Sequence, residues 1–212
     1  MMRAQIMLNR MPNRRRIALA VPVTVAAVIA GGIPAAAQQS KPAASKPAAA
    51  ATPAPAAPPS VPGAPQPTLL GQFGDWGAYS ATPGGKKVCF ALAKPANSHT
   101  APANRPRDPA YMFISSRPAE KVKDEVSIIF GYGFKPNSDA SIEIAGANYA
   151  MYTQADGAWV KNAAEETRLV DAMRKGQDLT VKGTSAKGTA STDVYSLKGL
   201  PQALDRVGQE CR

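Results

Sequence analysis

Few side chains in this 212-residue chain are thiols or imidazoles, the groups that bind zinc and often serve as nucleophiles or bases. The candidates are Cys89, Cys211 and the single histidine, His99. Because a zinc site needs several cysteine or histidine ligands, we predict that the chain holds no metal. His99 could activate a serine, but the sequence has no Gly-x-Ser-x-Gly elbow. We therefore interpret His99 as a solvated loop residue.

Paired carboxylates are the next possible source of chemistry. Glycoside hydrolysis needs two acids held about 5 to 10 Å apart, and Asp124-Glu125 and Glu165-Glu166 are available. Both pairs have local explanations, one in a loop and one in the first turn of a predicted helix. A phosphate-binding glycine loop is absent, and Gly131-Tyr132-Gly133 is interpreted as a bend. We predict that the chain is not an enzyme and uses no cofactor, with a hydrolase as the distant alternative.

Two arginines in a long loop are candidates for ligand binding. Residues 104–109 read Asn-Arg-Pro-Arg-Asp-Pro and precede a predicted strand. Loops of this length are often functional. Arg105 and Arg107 could bind an anionic partner, such as a phosphorylated or carboxylated envelope glycan. The alternative is a solvated basic loop, or arginines that pair with Asp108.

Four aromatic residues could form a surface on which sugar rings stack. They are Trp76, Tyr79, Tyr132 and Trp159. Aromatic residues of β-rich proteins more often belong to the core, and that interpretation is the simpler one.

The N-terminus predicts export. Residues 1–16 contain five arginines and no acid, residues 17–33 are almost wholly apolar, and alanines 35–37 precede Gln38. This order is typical of a secretory signal peptide, which we assign to residues 1–37, with cleavage after Ala37. The apolar run is short of the roughly 20 residues that a spanning helix needs. The expected location is the periplasm or the exterior; an uncleaved signal anchored in the inner membrane is the alternative.

Residues 38–68 form a low-complexity segment of proline and alanine with no aromatic residue. Such a segment cannot bury enough surface to offset the entropy of ordering, so we predict a disordered linker. It would be a tail without a specific role or, if the signal is retained, a spacer between membrane and domain. Residues 69–212 contain both tryptophans and both cysteines and fit one domain.

The net charge depends on the predicted signal. The whole chain is formally +10, but without the arginines of residues 1–16 it is +5, and residues 69–212 carry only +3. This modest charge and the predicted compartment argue against a nucleic-acid partner. The expected partner is an unidentified envelope or surface component. Membrane contact is expected only if the signal is uncleaved.

Cys89 and Cys211 are predicted to form a disulfide. Two cysteines in an exported chain favour an internal bridge, which would also fasten the C-terminus. Free thiols or an intermolecular bridge are the alternatives.

Short alternating segments predict a mainly β fold. Val88, Phe90 and Leu92 alternate with other residues, and residues 82–85 are typical of a turn between strands at 73–81 and 86–93. Further strands are predicted at residues 110–116, 125–131, 140–145, 148–153, 158–160, 178–183 and 193–197. The expected fold is a single antiparallel β-sandwich or barrel-like domain with one or two short helices.

The best-marked helix begins after Asn162, a candidate N-cap with Glu165 three residues on. We expect it to end at Gly176 in the left-handed conformation. A second short helix is predicted at residues 201–208.

Several segments spread over residues 72–211 form a specific combination. They are Phe73-Gly74-Asp75-Trp76, Cys89-Phe90 after Pro83-Gly84-Gly85, and residues 111–115, 152–160, 169–176 and 195–204. Together they resemble the invasion-associated locus B family of exported α-proteobacterial envelope proteins, named for a member implicated in host-cell invasion. The resemblance implies an envelope protein and supplies no catalytic residue or cofactor. We expect a non-enzymatic envelope protein involved in envelope or host-cell interaction; the alternative is a binding module for envelope glycan or another anionic surface polymer.

Overall fold

The computed structural model describes Pro58 and residues 66–212. The predicted signal peptide at residues 1–37 and most of the predicted linker at residues 38–68 lie outside these residues.

Eleven strands in the described part of the chain form one antiparallel sheet. They are β1 (Thr68–Phe73), β2 (Trp76–Ala81), β3 (Val88–Ala93), β4 (Asn97–Ala101), β5 (Tyr111–Arg117), β6 (Val122–Ile129), β7 (Asp139–Ile144), β8 (Ala147–Gln154), β9 (Gly157–Val160), β10 (Asp178–Thr184) and β11 (Ala190–Ser196). Two α-helices accompany them, α1 (Ala163–Lys175) and α2 (Leu200–Glu210). In the described part of the chain, neither α1 nor α2 has the length and the apolar composition of a membrane-spanning helix. The predicted fold class, a mainly β antiparallel domain with short helices, is confirmed.

The sheet rolls back on itself. Its order is β1-β2-β3-β5-β6-β9-β8-β7-β10-β11-β4, so β2 and β11 are eight steps apart. Neighbouring strands are about 4.8 Å apart, and a flat sheet would therefore separate β2 from β11 by about 38 Å. In the structure the indole Nε1 of Trp76 on β2 donates a 2.9 Å hydrogen bond to the Ser196 carbonyl on β11. The sheet therefore has the barrel-like curvature expected from its many short strands.

One face of the rolled sheet encloses the core. Alternate residues point inward, as the period of two in a strand requires: Met112 and Ile114 on β5, and Ile142 and Ile144 on β7, are buried. The two helices add a second set of buried side chains, Leu169, Val170, Met173, Leu200, Ala203, Leu204 and Val207. All of these residues belong to one hydrophobic cluster. The core therefore lies between the sheet and both helices.

Helix α1 begins as predicted but ends differently. Asn162 Oδ1 accepts hydrogen bonds from Ala164 N at 2.8 Å and Glu165 N at 3.3 Å, which is an N-cap. The predicted left-handed end is wrong, because Gly176 is extended, with φ −79° and ψ 169°. Side-chain atoms of Leu197 and Ile144 lie 3.0 and 3.1 Å from where a Cβ of residue 176 would be. A Cβ at residue 176 would therefore be in tight contact with these two side chains, and the backbone conformation itself does not require glycine.

The disulfide fastens helix α2 to the sheet. Cys89 on β3 is bonded to Cys211 at the end of α2, as predicted, and the chain has no free cysteine. The two residues are 122 positions apart. In the chain-entropy model, closing a loop of this length lowers the conformational entropy of the unfolded chain and so stabilises the folded state by about 4 to 5 kcal/mol. An ion pair of 2.8 Å between Lys87 and Glu210 lies at the same end of the helix.

One strand prediction and one loop prediction need correction. The predicted strand at residues 73–81 is divided by a tight turn at Gly74, which has φ +56° and packs against the Lys198 carbonyl where a side chain would clash. β1 precedes this turn and was not predicted. His99 is exposed, but it lies on the edge strand β4 opposite Thr192 rather than in a loop. The sequence does not indicate β4 as a strand, because β4 is polar and an edge strand does not need alternating apolar residues.

Candidate functional site

A cleft of about 570 Å³ opens where three connections of the sheet meet. These are the β4–β5 loop, the bend at residues 131–133 after β6, and the β10–β11 turn at residues 185–189. Its lining includes Thr100, Arg105, Arg107, Tyr132, Lys187 and Thr189. We call it the Arg105–Lys187 cleft. Both arginines predicted as binding candidates therefore lie in one cavity.

Backbone contacts hold the β4–β5 loop against the bend. Asp108 N donates a 3.0 Å hydrogen bond to the Gly131 carbonyl. Gly131 has φ +72°, and the Asp108 backbone occupies the space that a Cβ would need. Only glycine tolerates both conditions. This contact fixes the position of Arg107, the residue before Asp108.

Arg107 is committed to a buried acid. Its Nη2 pairs with Oδ1 of Asp193 on β11, and Asp193 is fully buried. Nη1 also donates to the Phe130 carbonyl at 3.1 Å, and Nη2 to Ser98 Oγ at 3.0 Å. The acid partner is Asp193 rather than the neighbouring Asp108 of the sequence-based alternative, since a buried carboxylate needs a counter-charge. Arg107 is thus part of the floor of the cleft.

An aromatic cluster supports this floor. The Tyr132 hydroxyl shares a 2.7 Å hydrogen bond with Ser191 Oγ, and its ring meets that of Phe134 edge-on with centroids 5.2 Å apart. Burial raises the pKa of the Tyr132 hydroxyl above its ordinary value. Burial, and then the nearby Asp193 charge, raise the pKa of Tyr195. Both phenols therefore stay protonated at neutral pH.

Two buried polar atoms next to Arg107 lack hydrogen-bond partners within the described residues. They are Oδ2 of Asp193 and the hydroxyl of Tyr195. Both residues lie on β11, at the buried Arg107–Asp193 ion pair beneath the cleft.

Arg105 and Lys187 are the exposed basic residues of the cleft. Arg105 N donates to Thr100 Oγ1 at 3.2 Å, which places the residue on the rim. Neither side chain has an ion-pair partner among the residues that the structure describes. Lys187 was not predicted as a site residue. In the sequence, Lys187 precedes Gly188 in a turn between two strands. This pattern by itself indicates only a charged residue at the surface.

The four aromatic candidates are not brought together. Trp76 and Tyr79 are buried, in two different hydrophobic clusters. Tyr132 lines the cleft. Trp159 stacks on Tyr152 on the outer side of β8 and β9, with ring centroids 5.6 Å apart. A single sugar-stacking surface made of all four residues is therefore excluded.

The predicted acid pairs make structural contacts. Glu125 receives two hydrogen bonds of 2.9 Å from the Arg117 guanidinium. Glu166 Oε1 accepts a 2.8 Å bond from Val126 N, and burial raises the pKa of Glu166. These contacts tie Arg117 to β6 and α1 to β6, which favours the structural interpretation. No group of three or more potential metal ligands occurs within the described residues.

Comparison with protein families matches residues 76–208 to the family described as "Invasion associated locus B (IalB) protein". The match covers more than half of the chain. It includes every wall of the Arg105–Lys187 cleft and Cys89, and it ends before Cys211. Comparison with curated proteins and with solved structures found no match.

Proposed function

The chain belongs to the invasion associated locus B family, and we propose that it is an exported protein of the cell envelope with no enzymatic activity. The basic and then apolar sequence of residues 1–37 supports export. The family name refers to invasion, so contact with host cells is one setting in which such a protein would act.

The disulfide is the observation that carries this proposal. The Cys89–Cys211 bridge joins the end of helix α2 to β3, the third strand of the sheet. Disulfides persist in oxidising compartments such as the periplasm and are rare in the bacterial cytosol. A bridge that fastens the end of α2 therefore supports a chain that folds after export.

Cell fractionation with N-terminal sequencing tests this proposal. We expect the protein in the periplasmic fraction, with its disulfide intact and Gln38 as its first residue. An intact N-terminus in the inner-membrane fraction would favour the anchored alternative. Protein found in the cytosol with two alkylatable thiols would contradict export.

Structural use of the acids supports a function without catalysis. Glu125 and Glu166, one member of each acid pair, are held by Arg117 and by Val126 N. These contacts, between strands and between a strand and α1, give both carboxyls a role in holding the fold together. Incubation with purified envelope glycans should therefore release no product. Product release that disappears in the Glu166→Gln variant would contradict this part of the proposal.

A binding module for an anionic envelope polymer is the second candidate function. The Arg105–Lys187 cleft favours it, because two exposed basic residues line one cavity. Co-sedimentation of the mature protein with anionic envelope polymer tests this candidate. Retention that falls with added salt is expected, and no retention at low salt would contradict it.

A further inference from the structure

We propose that the Arg105–Lys187 cleft is a preformed site for one carboxylate or phosphate group, which Arg105 and Lys187 contact directly while Arg107 stays paired with Asp193. This inference rests on the second candidate function, binding of an anionic polymer, and assigns it a site. The ligand is the acidic group of a glycan or a phosphoryl group, since both present the same kind of oxygen atoms.

The charge balance of the cleft favours an anion. Three basic side chains line it, and no acidic side chain is among its lining residues in the described part of the chain. Asp193 lies beneath the lining and compensates Arg107. The charges of Arg105 and Lys187 are therefore in excess, and a concave surface concentrates the resulting field.

Hydroxyl groups add hydrogen-bond donors to this charge. Thr100 Oγ1 accepts from Arg105 N at 3.2 Å, and Ser185 Oγ accepts from Thr189 N at 3.1 Å. A hydroxyl that accepts one bond still has its own proton to donate. Thr100 and Ser185 can therefore donate to an oxygen of the ligand without losing their backbone contacts.

The turn that carries Lys187 is held before any ligand arrives. Ser185 N donates to the Thr189 carbonyl, and Ala186 N to the Gly133 carbonyl, each at 2.9 Å. The Arg105 side of the cleft is held by the contact between Asp108 and Gly131. Loss of loop entropy is one of the main terms that oppose binding. Both loops are already ordered in the folded protein, so a ligand would not have to order them.

The size of the cleft and the two basic groups define the ligand class. About 570 Å³ lies in the range of sites for small ligands, so the cleft can hold an acidic group together with the sugar unit that bears it. A guanidinium binds two oxygens at once, and an ammonium acts as a point charge. Carboxylates and phosphates both satisfy this pair.

Isothermal titration calorimetry with two defined ligands tests the proposal. The disulfide-intact mature protein is titrated with a hexameric oligogalacturonide, which offers carboxylates, and with inorganic tripolyphosphate. Arg105→Ala and Lys187→Ala should each weaken binding by at least about fivefold, and the double variant by more, because each removes one charged contact. Lys182→Ala is the matched control: it removes one positive charge from β10 outside the cleft, where Lys182 pairs with Glu143. It should change the affinity by less than about twofold.

Each outcome has a defined meaning. Tighter binding of the oligogalacturonide identifies the carboxylate source, and tighter binding of tripolyphosphate the phosphoryl source. If the double variant binds as well as wild type, this site is wrong although polymer binding stands. If wild type binds neither ligand, the site is overturned, and co-sedimentation with envelope polymer separately decides the binding function.

Discussion

Two regions of the domain differ in how their charged side chains are paired. One is the disulfide end, which comprises helix α2 and the Cys89–Cys211 bridge, and the other is the Arg105–Lys187 cleft. At the disulfide end, Lys87 and Arg206 both bind Glu210, and Arg174 binds Asp205. In the cleft, one basic residue of three has an acidic partner in the described part of the chain. The first region uses its charges to hold an element in place. The second leaves two charges available, and this is why we assign the binding role to it.

The two regions also differ in what lies beneath the charges. Helix α2 packs its apolar residues Leu200, Leu204 and Val207 onto the core, and a covalent bond secures its end. Under the cleft lies a buried acid, with Asp193 Oδ2 and the Tyr195 hydroxyl unsatisfied within the described residues. Apolar contacts and a covalent bond support the first region, and a buried ion pair with neighbouring polar groups supports the second.

The largest expected effect is loss of the acid beneath the cleft. Asp193→Ala should lower the free energy of unfolding by about 3 to 5 kcal/mol, because Arg107 is left without its counter-charge in a poorly solvated place. Urea denaturation measures this. The Arg107→Met/Asp193→Leu variant removes both charges and should recover much of the loss. If the double variant is as unstable as Asp193→Ala, the loss of stability comes from altered packing and not from the unpaired charge of Arg107.

Removal of the disulfide is the next largest change. Cys89→Ala/Cys211→Ser should lower the free energy of unfolding by about 2 to 5 kcal/mol, through release of the long loop in the unfolded chain. Wild type treated with a reductant is the matched control and should unfold at the same urea concentration as the variant. A loss below about 1 kcal/mol would mean that contacts of α2 alone secure this end.

Glu166 on α1 provides a smaller effect outside both regions. Glu166→Ala removes the acceptor of Val126 N and should cost about 1 to 3 kcal/mol, whereas Glu166→Gln keeps an acceptor oxygen.

The Glu166 effect should also depend on pH. Burial raises the pKa of Glu166 in the folded state, so the folded protein binds more protons than the unfolded chain in that range. The wild type therefore loses stability as the pH rises from the ordinary range of a glutamate through the raised pKa. Urea denaturation across this range should show Glu166→Gln gaining stability relative to wild type as the pH rises. A constant difference would contradict the raised pKa.

The smallest expected effect separates binding from folding in the cleft. Arg105→Ala and Lys187→Ala should change the free energy of unfolding by no more than about 0.5 kcal/mol, because both side chains are exposed. Thermal denaturation of both variants checks this. A loss of more than about 1 kcal/mol would mean that these charges support the fold, and the comparison between the two regions would fail.

Local patterns were sufficient to predict most of the fold. Alternation identified β3, the cap at Asn162 identified the start of α1, and two cysteines identified the bridge. Edge strands β1 and β4 were missed because their sequences lack a regular apolar face.

The site was less predictable because its parts are distant in sequence. Arg107 and Asp193 are 86 residues apart, and they meet because β4, which leads into the loop of Arg107, pairs with β11. Lys187 joins Arg105 for the same reason. The sequence indicated a basic loop, but it could not show which arginine was already paired.

A titration of the ¹⁵N-labelled mature protein with tripolyphosphate, followed by ¹H–¹⁵N NMR, tests the central claim most directly. Amide shifts should concentrate in the β4–β5 loop, the bend at residues 131–133 and the turn at residues 185–189, and the disulfide end should stay unchanged. Shifts spread over the lysines of the whole surface, or centred on α2, would contradict a binding role for the cleft.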